Sequence, residues 1–248
     1  MKNPNAIITS DYGPIIINVN DGVIAKHISS LGYWATDDIN LIKQIIEHQL
    51  KNSENLTFYD IGANIGTHSL AISKSFYSKV TIRAFEAQRQ IYNMLCGTMA
   101  INGLSNVYCH HNAISDISGV NIEINLPDYG KSNNFGGLEL IKPVNSDNSS
   151  MIINDHEIVT TLSIDSFNER IDFIKMDIEG MENKALLGGT EAISRWRPVC
   201  FIEILKTDVN YVLDFFKSKD YLGFQKNADL IALPRELAIQ IDGAHRIF

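Results

Sequence analysis

Cysteine is scarce in this chain of 248 residues, and the three cysteines are far apart in the sequence. Cys96, Cys109 and Cys200 form no Cys-x-x-Cys pair, so their spacing argues against a structural zinc site. An odd number of cysteines without a disulfide framework is typical of a reducing compartment. We therefore predict a cytoplasmic protein.

Long apolar runs are missing as well. No stretch approaches the roughly 20 apolar residues that a membrane-spanning helix needs, and the first residues lead into no apolar run long enough for a signal peptide. Basic residues are in deficit, with 21 Lys and Arg against 29 Asp and Glu and a formal net charge of −8. A generally acidic surface disfavours non-specific binding to nucleic acid. We expect no membrane segment and no nucleic-acid partner.

Hydrophobic residues make up 45% of the chain, which is enough for the core of one large α/β domain. From Leu56 onward, short apolar strands alternate with amphipathic helices, which implies a mostly parallel sheet with helices on both faces. Strands are predicted at 56–60, 80–85, 106–110, 171–176 and 198–204, and helices at 66–76, 88–101, 180–194 and 207–218. A hairpin with strands 221–226 and 230–233 is predicted to follow.

The N-terminal part, residues 1–51, is predicted to be a small addition and a candidate lid. Segments 14–19 and 23–27 flank Asn20-Asp21-Gly22, a sequence typical of a hairpin turn. A helix is predicted from Thr36 to Lys51, with Thr36 as its N-cap. Residues 52–248 then form the main domain.

Residues 117–165 depart from the rhythm of the main domain. They contain strand-like segments at 120–124 and 158–162, separated by a Gly/Asn/Ser-rich loop at 127–137 and a polar run at 145–150. Loops of this length inside a compact domain are usually functional or mobile. We therefore predict that this insertion contributes to ligand selection.

Two acidic sites follow neighbouring predicted strands. The first strand ends in a turn that contains Asp60, Gly62, Asn64 and Gly66, and Glu86 ends the next strand. Glycine lets the backbone approach a ligand closely, and a carboxylate at the end of the next strand is placed to bind both hydroxyls of a ribose. The spacing matches neither GxGxxG nor GxxxxGK[ST], which disfavours a dinucleotide or a nucleoside triphosphate. The pair of sites favours a nucleoside ligand over two solvated carboxylates.

A third charged cluster follows the predicted strand at 171–176. Strand alternation places Lys175 and Asp177 on one side, while Glu179 follows before Gly180 releases the chain into the next helix. In open α/β sheets, ligands bind at the carboxyl ends of the strands. This cluster is therefore predicted to lie beside the nucleoside site.

Seven segments together give the chain a family resemblance, which extends over most of residues 56–205. The segments are FYDIGANIGTHSL (58–70), AFEAQ (84–88), INGLSNV (101–107), HNAISDISG (111–119), TLSIDSF (161–167), FIKMDIEGMENKALLGG (173–189) and RPVCFIEI (197–204). With these segments, the chain resembles the FkbM family of S-adenosylmethionine-dependent methyltransferases. The IKMDIEGME block is more discriminating than the glycine turn, which many methyltransferases share.

The resemblance implies the Rossmann-like fold of class I methyltransferases, with a seven-stranded sheet whose last strand is antiparallel. It implies that Glu86 holds the ribose hydroxyls, that Asn112 and Ala113 frame the adenine, and that His68 and Ser69 reach the methionine carboxylate. The implied cofactor contacts are Asp60, Gly62, Ala63, Asn64, Gly66, Thr67, His68, Ser69, Glu86, Ala87, Asn112, Ala113 and Asp177.

The expected reaction is methylation of a hydroxyl on a saccharide or a natural-product small molecule. Asp177 is our first candidate for the base that takes the hydroxyl proton, Glu179 is the second, and Lys175 is placed to stabilise a developing oxyanion. Asp177 and Glu203 could share a divalent metal ion; alternatively, Glu203 pairs with a basic group or caps a helix. A nucleic-acid methyltransferase and a catalytically silent cofactor-binding module are the alternative functions. Nothing in the sequence fixes the oligomeric state.

Overall fold

The computed structural model describes residues 3–139, 152–237, 239–241 and 243–248. The predicted polar run at 145–150 lies outside the described residues. The first half contains β1 (Asn5–Ser10), β2 (Gly13–Asn18), α1 (Ile24–Leu31), α2 (Thr36–Gln49), β3 (Leu56–Ile61), α3 (Thr67–Phe76), β4 (Val80–Phe85), α4 (Arg89–Ile101), β5 (Val107–His110) and β6 (Ala113–Ile114). The second half contains β7 (Asn121–Pro127), β8 (Ile152–Leu162), β9 (Phe173–Met176), α5 (Glu182–Leu187), α6 (Thr190–Trp196), β10 (Val199–Glu203), α7 (Val209–Ser218), β11 (Tyr221–Lys226), β12 (Asp229–Pro234) and β13 (His245–Arg246).

The main sheet has the strand order β13-β11-β12-β10-β9-β3-β4-β5. Strands β5, β4, β3, β9 and β10 are parallel, so their carboxyl ends meet at one edge. Strand β12 is antiparallel to β10 and closes the predicted hairpin with β11. The order reverses between β3 and β9, which creates a crevice at this edge.

The sheet is covered by helices on both faces, as predicted. Successive residues of one strand point to opposite faces: Phe58 belongs to the hydrophobic cluster beneath α1 to α4, and Tyr59 belongs to the cluster beneath α5 to α7. Both side chains are fully buried. Burial on both faces explains why the central strands read as continuous apolar runs.

The predicted number of strands was wrong by one. Among the described residues, the main sheet has eight strands, because the short strand β13 pairs with β11 through His245 and Arg246. These two residues carry no apolar pattern that could indicate a strand. The remaining seven strands follow the predicted arrangement.

A hairpin is present in the N-terminal part, as predicted, but a different pair of strands forms it. Strand β2 lies within the predicted segment 14–19 and pairs with the upstream β1, whereas the second predicted strand, at 23–27, is wrong because residues 24–27 belong to α1. The Asp21 side chain accepts hydrogen bonds from the N–H groups of Val23 (2.9 Å) and Ile24 (3.1 Å), and this contact starts the helix. Asn20 and Gly22 instead bond to the backbone of Asn133, at 3.0 and 2.7 Å. This long-range pairing outweighs the local turn preference.

Two predicted helix features need correction. Thr36 is the first residue of α2 rather than its N-cap, which is Ala35 with a φ of 52° and no side-chain cap. The single helix predicted at 180–194 is two helices, α5 and α6, that meet at Gly188-Gly189. A β-carbon on Gly188 would lie 2.2 Å from the carbonyl oxygen of Ser115, so the break lets two backbones pack closely.

Candidate active site

A cavity of about 250 Å³ lies at the carboxyl ends of β3, β4, β9 and β10. Most of the predicted site residues line it, although they come from separate strands and turns. The predicted residues in its lining are Gly62, Ala63, Asn64, Thr67, His68, Glu86, Ala87, Asn112, Ala113, Lys175, Asp177, Glu179 and Glu203. The topology therefore brings the glycine turn, Glu86 and the charged residues that follow β9 and β10 into one site.

Three predicted cofactor contacts do not line the cavity. Asp60 is fully buried and accepts a hydrogen bond of 2.6 Å from the Ser69 hydroxyl, so each of these two side chains engages the other. Gly66 packs against α4, where an added β-carbon would lie 2.7 Å from side-chain atoms of Leu95 and Met99. Asp60, Ser69 and Gly66 therefore pack beneath the glycine turn and do not line the cavity.

Gly62 is the residue of the glycine turn that packs closely against the backbone of Asp177. Its φ is +76°, and an added β-carbon would lie 1.8 Å from the backbone oxygen of Asp177. Asn64 also adopts a left-handed φ of 50°, a conformation that asparagine tolerates better than most residues. The turn is thus pressed against the end of β9, with its backbone open to the cavity.

Glu86 is held by the turn on one side and by its own strand end on the other. Its two carboxylate oxygens accept hydrogen bonds from the N–H groups of Asn64 (3.0 Å) and Gln88 (2.9 Å). Burial raises the pKa of Glu86 to about 7, although these backbone bonds oppose the shift. A fixed carboxylate that lines a cavity can accept hydrogen bonds from two neighbouring hydroxyl groups.

The cavity wall beyond Glu86 is apolar. Ala87, Ala113 and Met181 are buried in one small hydrophobic cluster, and all three line the cavity. Asn112 lines it too, and its side-chain amide donates a hydrogen bond of 2.9 Å to the backbone oxygen of Thr160 in β8. A flat aromatic base could therefore make apolar contacts with this wall on one side and hydrogen bonds with polar groups at its edge.

Lys175 is a buried cation that links β3 to β9. Its Nζ donates a hydrogen bond of 2.9 Å to the Gly62 carbonyl and lies 3.6 Å from Asp60 and 4.0 Å from Asp177. Burial alone would lower the pKa of Lys175, but the surrounding carboxylates, Asp60 first, raise it overall. The lysine therefore stays charged and fixes the turn to the acidic cluster.

The acidic cluster consists of Asp177, Glu179 and Glu203, which each offer a carboxylate oxygen within 4.8 Å of the others. Asp177 is the open member, because 41% of its side chain is exposed. Glu179 pairs with Lys206. Burial, followed by the charge of Asp177, raises the pKa of Glu203 to about 8. Within the described residues, the Asp177 Oδ1 atom is buried and has no hydrogen-bond partner.

His68 lines the same cavity from the first turn of α3. Burial and then the neighbouring charge of Lys175 lower its pKa to about 4, so the ring is neutral near pH 7. A neutral imidazole can donate or accept one hydrogen bond, but it supplies no positive charge to a ligand carboxylate.

Several lining residues were not predicted as site residues. Gln88 lies two residues after Glu86, and Trp34 is contributed by the N-terminal part. The others are Val23, Ile24, Ile61, Phe85, Ile114, Asn134, Gly136, Gly137, Leu138, Ile178 and Met181. Residues at the ends of β3, β4 and β9 could have been found from the strand pattern. The N-terminal part and the loop at 127–137 were predicted as a candidate lid and as part of a ligand-selecting insertion, but which of their residues line the cavity depends on long-range pairing that the sequence pattern does not show.

The fold and the cavity define a class I methyltransferase architecture. A family model described as the methyltransferase FkbM domain matches residues 60–222. The chain therefore belongs to the FkbM family of S-adenosylmethionine-dependent methyltransferases, which confirms the resemblance predicted from its sequence. Among the described residues, no helix is long and apolar enough to cross a membrane.

A solved structure shares the fold, and another shows a weaker similarity. A methyltransferase FkbM from Methylobacillus flagellatus is 19% identical with a TM-score of 0.53, and the match covers 73% of this chain and 44% of that protein. This chain thus spans less than half of that relative. A SAM-dependent O-methyltransferase from Thermotoga maritima is 12% identical with a TM-score of 0.44, and the match covers 96% and 75% of the two chains. A search among curated proteins finds no match.

Proposed function

We propose that this chain transfers a methyl group from S-adenosylmethionine to a hydroxyl group of a saccharide or a natural-product small molecule. The observation that carries the proposal is the presence of Glu86 and Asp177 in the lining of one cavity. The first carboxylate suits a ribose, and the second suits an acceptor hydroxyl. The two lie on opposite sides of the Gly62 turn, since Glu86 bonds to Asn64 and Asp177 packs on Gly62.

The donor side of the cavity fits S-adenosylmethionine in its chemistry. Glu86 would hold the ribose hydroxyls, the wall of Ala87, Ala113 and Met181 would contact the adenine, and the turn at Gly62 would contact the methionine part. When bound, the cofactor would supply a methyl group on a positively charged sulfur. The adjacent carboxylates favour that positive charge.

The acceptor side offers a base. Asp177 is open to the cavity, because 41% of its side chain is exposed. An acceptor hydroxyl in the cavity would donate a hydrogen bond to the exposed part of this carboxylate. Asp177 would then take the hydroxyl proton as the oxygen attacks, while Lys175 would hold the carboxylate in place through their 4.0 Å contact. Glu179 is less suited to this role because Lys206 engages it.

A saccharide is supported by the mixture of groups that line the cavity together with Asp177. Trp34 offers an aromatic face, Asn134 offers an amide, and Glu203 offers a second carboxylate. Hydroxyl-rich ligands present both apolar ring faces and many hydrogen-bond donors, so they match such a lining.

The proposed lid role of residues 1–51 rests on Val23, Ile24 and Trp34, which line the cavity.

A divalent ion bound by Asp177, Glu179 and Glu203 is the alternative way to lower the pKa of the acceptor. Lys175 and Lys206 already supply positive charge to two of these carboxylates. We therefore propose catalysis by the carboxylate without an ion. Activity that survives thorough chelation supports this choice, and activity that is lost and then restored by Mg²⁺ or Mn²⁺ contradicts it.

A methyl-transfer assay tests the proposed function. Labelled S-adenosylmethionine would be offered with a panel of glycans and small hydroxylated metabolites, and mass spectrometry would locate the added methyl group. Methyl ether formation that disappears in Asp177→Asn supports the proposal. Methylation of RNA or DNA instead, or of nitrogen atoms alone, would contradict it. Cofactor binding without transfer to any panel member favours the silent binding module.

A further inference from the structure

Residues 129–138, the wall loop, form one side of the cavity. Asn134, Gly136, Gly137 and Leu138 line it. Phe135 between them is fully buried, with its ring centroid 4.9 Å from that of Tyr129. The loop is therefore a packed part of the described structure, although it has the composition of a surface loop.

Gln88 connects the wall loop to the ribose carboxylate. Its side-chain amide donates a hydrogen bond of 2.9 Å to the backbone oxygen of Phe135 and accepts one of 3.0 Å from the Tyr129 hydroxyl. The backbone N–H of the same residue donates to Glu86. Gln88 is only 5% exposed, so both ends of its amide are committed inside the protein.

A second path joins the same carboxylate to the loop. The backbone N–H of Asn64 donates to the other oxygen of Glu86. The Asn64 side-chain amide lies against Gly136, where an added β-carbon would be 3.0 Å from its Nδ2 atom. Both backbone groups that hold Glu86 thus belong to residues whose side chains contact the wall loop.

The other side of the wall loop is attached to the N-terminal part and to the acidic cluster. Asn18 and Asn20 both donate side-chain hydrogen bonds of 3.0 Å to the Tyr129 carbonyl. Lys206, which pairs with Glu179, donates a hydrogen bond of 3.0 Å to the Gly137 carbonyl. The loop therefore extends from the donor side of the cavity to its acceptor side.

We propose that Gln88 is a positioning residue that couples occupancy of the nucleoside site to the ordering of the wall loop, so that donor binding completes the acceptor side. This inference rests on the proposed function, because it takes Glu86 as the ribose ligand. A ribose on Glu86 fixes the carboxylate, the carboxylate fixes the backbone of Gln88 and Asn64, and their side chains fix the loop. Transfer to a hydroxyl then occurs in a site closed to water.

Hydrogen–deuterium exchange of the wall loop tests the coupling, with S-adenosylhomocysteine as the probe. In the wild type, the bound nucleoside should slow exchange of the amides at 129–138 by about tenfold. Gln88→Leu keeps the side-chain size and the backbone contact with Glu86 but removes both amide bonds. It should bind S-adenosylhomocysteine within about fivefold of the wild type and lose the protection of the loop.

Two further variants make the result specific. Gln225→Leu makes the same change at an exposed position of the distant strand β11 and should respond like the wild type. Tyr129→Phe removes only one of the two bonds of Gln88, so it should lose part of the protection even where Gln88→Leu fails to fold.

The outcomes separate this inference from the proposed function. Calorimetry that detects no binding to the wild type overturns the proposed function, and the coupling with it. Binding with unchanged loop exchange overturns the coupling alone. Full protection of the wall loop from exchange in both Gln88→Leu and Tyr129→Phe would likewise overturn the coupling alone.

Discussion

Gly62 and Asp177 are in contact through their backbones: a β-carbon added to Gly62 would lie 1.8 Å from the Asp177 carbonyl oxygen. Gly62 belongs to the turn after β3, and Asp177 follows β9, the neighbouring strand. The proposed donor and acceptor sites therefore share one backbone contact. A shift of the turn changes both sites at once.

Substituting Gly62 tests how tightly this contact constrains the fold. Gly62→Ala adds a methyl group with no room for it, at a φ of +76° that alanine disfavours. We expect a loss of about 2–4 kcal/mol in the free energy of unfolding, measured by urea denaturation. Gly103→Ala is the control, because Gly103 has a similar φ of +65° with no atom within 4 Å. Equal losses in the two variants would show that the contact with Asp177 adds no constraint.

Ionisation of Glu203 is expected to lower the free energy of unfolding at alkaline pH. Its pKa is raised to about 8 in the folded state, so folding favours the protonated form, and this stabilisation is lost as the pH rises through 8. The melting temperature of the wild type should therefore fall between pH 7 and pH 8.5. His68 does not contribute, because its pKa of about 4 lies well below this range. Glu86 and Asp229, whose pKa values are raised to about 7, add to the fall, so the part that Glu203 contributes is measured by comparison with a variant.

Glu203→Gln should reduce that fall in melting temperature. At pH 8.5 the variant should melt a few degrees above the wild type, because each kcal/mol in the free energy of unfolding shifts the melting temperature by roughly 2–4 °C. Glu54→Gln, at an exposed position, is the control. A fall of the same size in Glu203→Gln and in the wild type would rule out Glu203 as its source.

Asp177 is expected to determine turnover but not the affinity for the cofactor. Asp177→Asn keeps the shape of the side chain and removes its basicity, so we expect turnover to decrease by about 100-fold or more. Affinity for S-adenosylmethionine should stay within about fivefold. Asp229→Asn is a matched control, because Asp229 is the cross-strand partner of Glu203 but does not line the cavity. If affinity collapses in Asp177→Asn, this residue belongs to the donor site.

The sequence was sufficient for the parts of the fold that repeat locally. The parallel strands and their helices each carry their own apolar period, so β3, β4 and β9 lie where they were predicted. Strand ends then place Glu86 and Asp177 at the same edge of the sheet. These predictions need only alternation and the crevice rule.

The remainder depends on contacts between distant residues. Asn20-Asp21-Gly22 has the local preference of a hairpin turn, yet its backbone pairs with that of Asn133, more than 100 positions further along the chain. Asp60 was predicted to contact the cofactor, and the structure adds internal partners that the sequence did not indicate, its register partner Lys175 and the hydroxyl of Ser69. Its contact with the cofactor stays a prediction. No local pattern distinguishes a buried supporting carboxylate from one that binds a ligand.

Isothermal titration calorimetry of S-adenosylmethionine binding tests whether Glu86 is the ribose ligand of a methyl-donor site. We expect one site in the wild type and an affinity that decreases as the pH falls below 7, because the pKa of Glu86 is about 7 and the ribose needs its ionised form. Glu86→Gln should bind about 100-fold more weakly and lose this pH dependence. Equal affinity in Glu86→Gln and the wild type would rule out this role of Glu86, and no binding to the wild type at saturating cofactor would rule out the donor site.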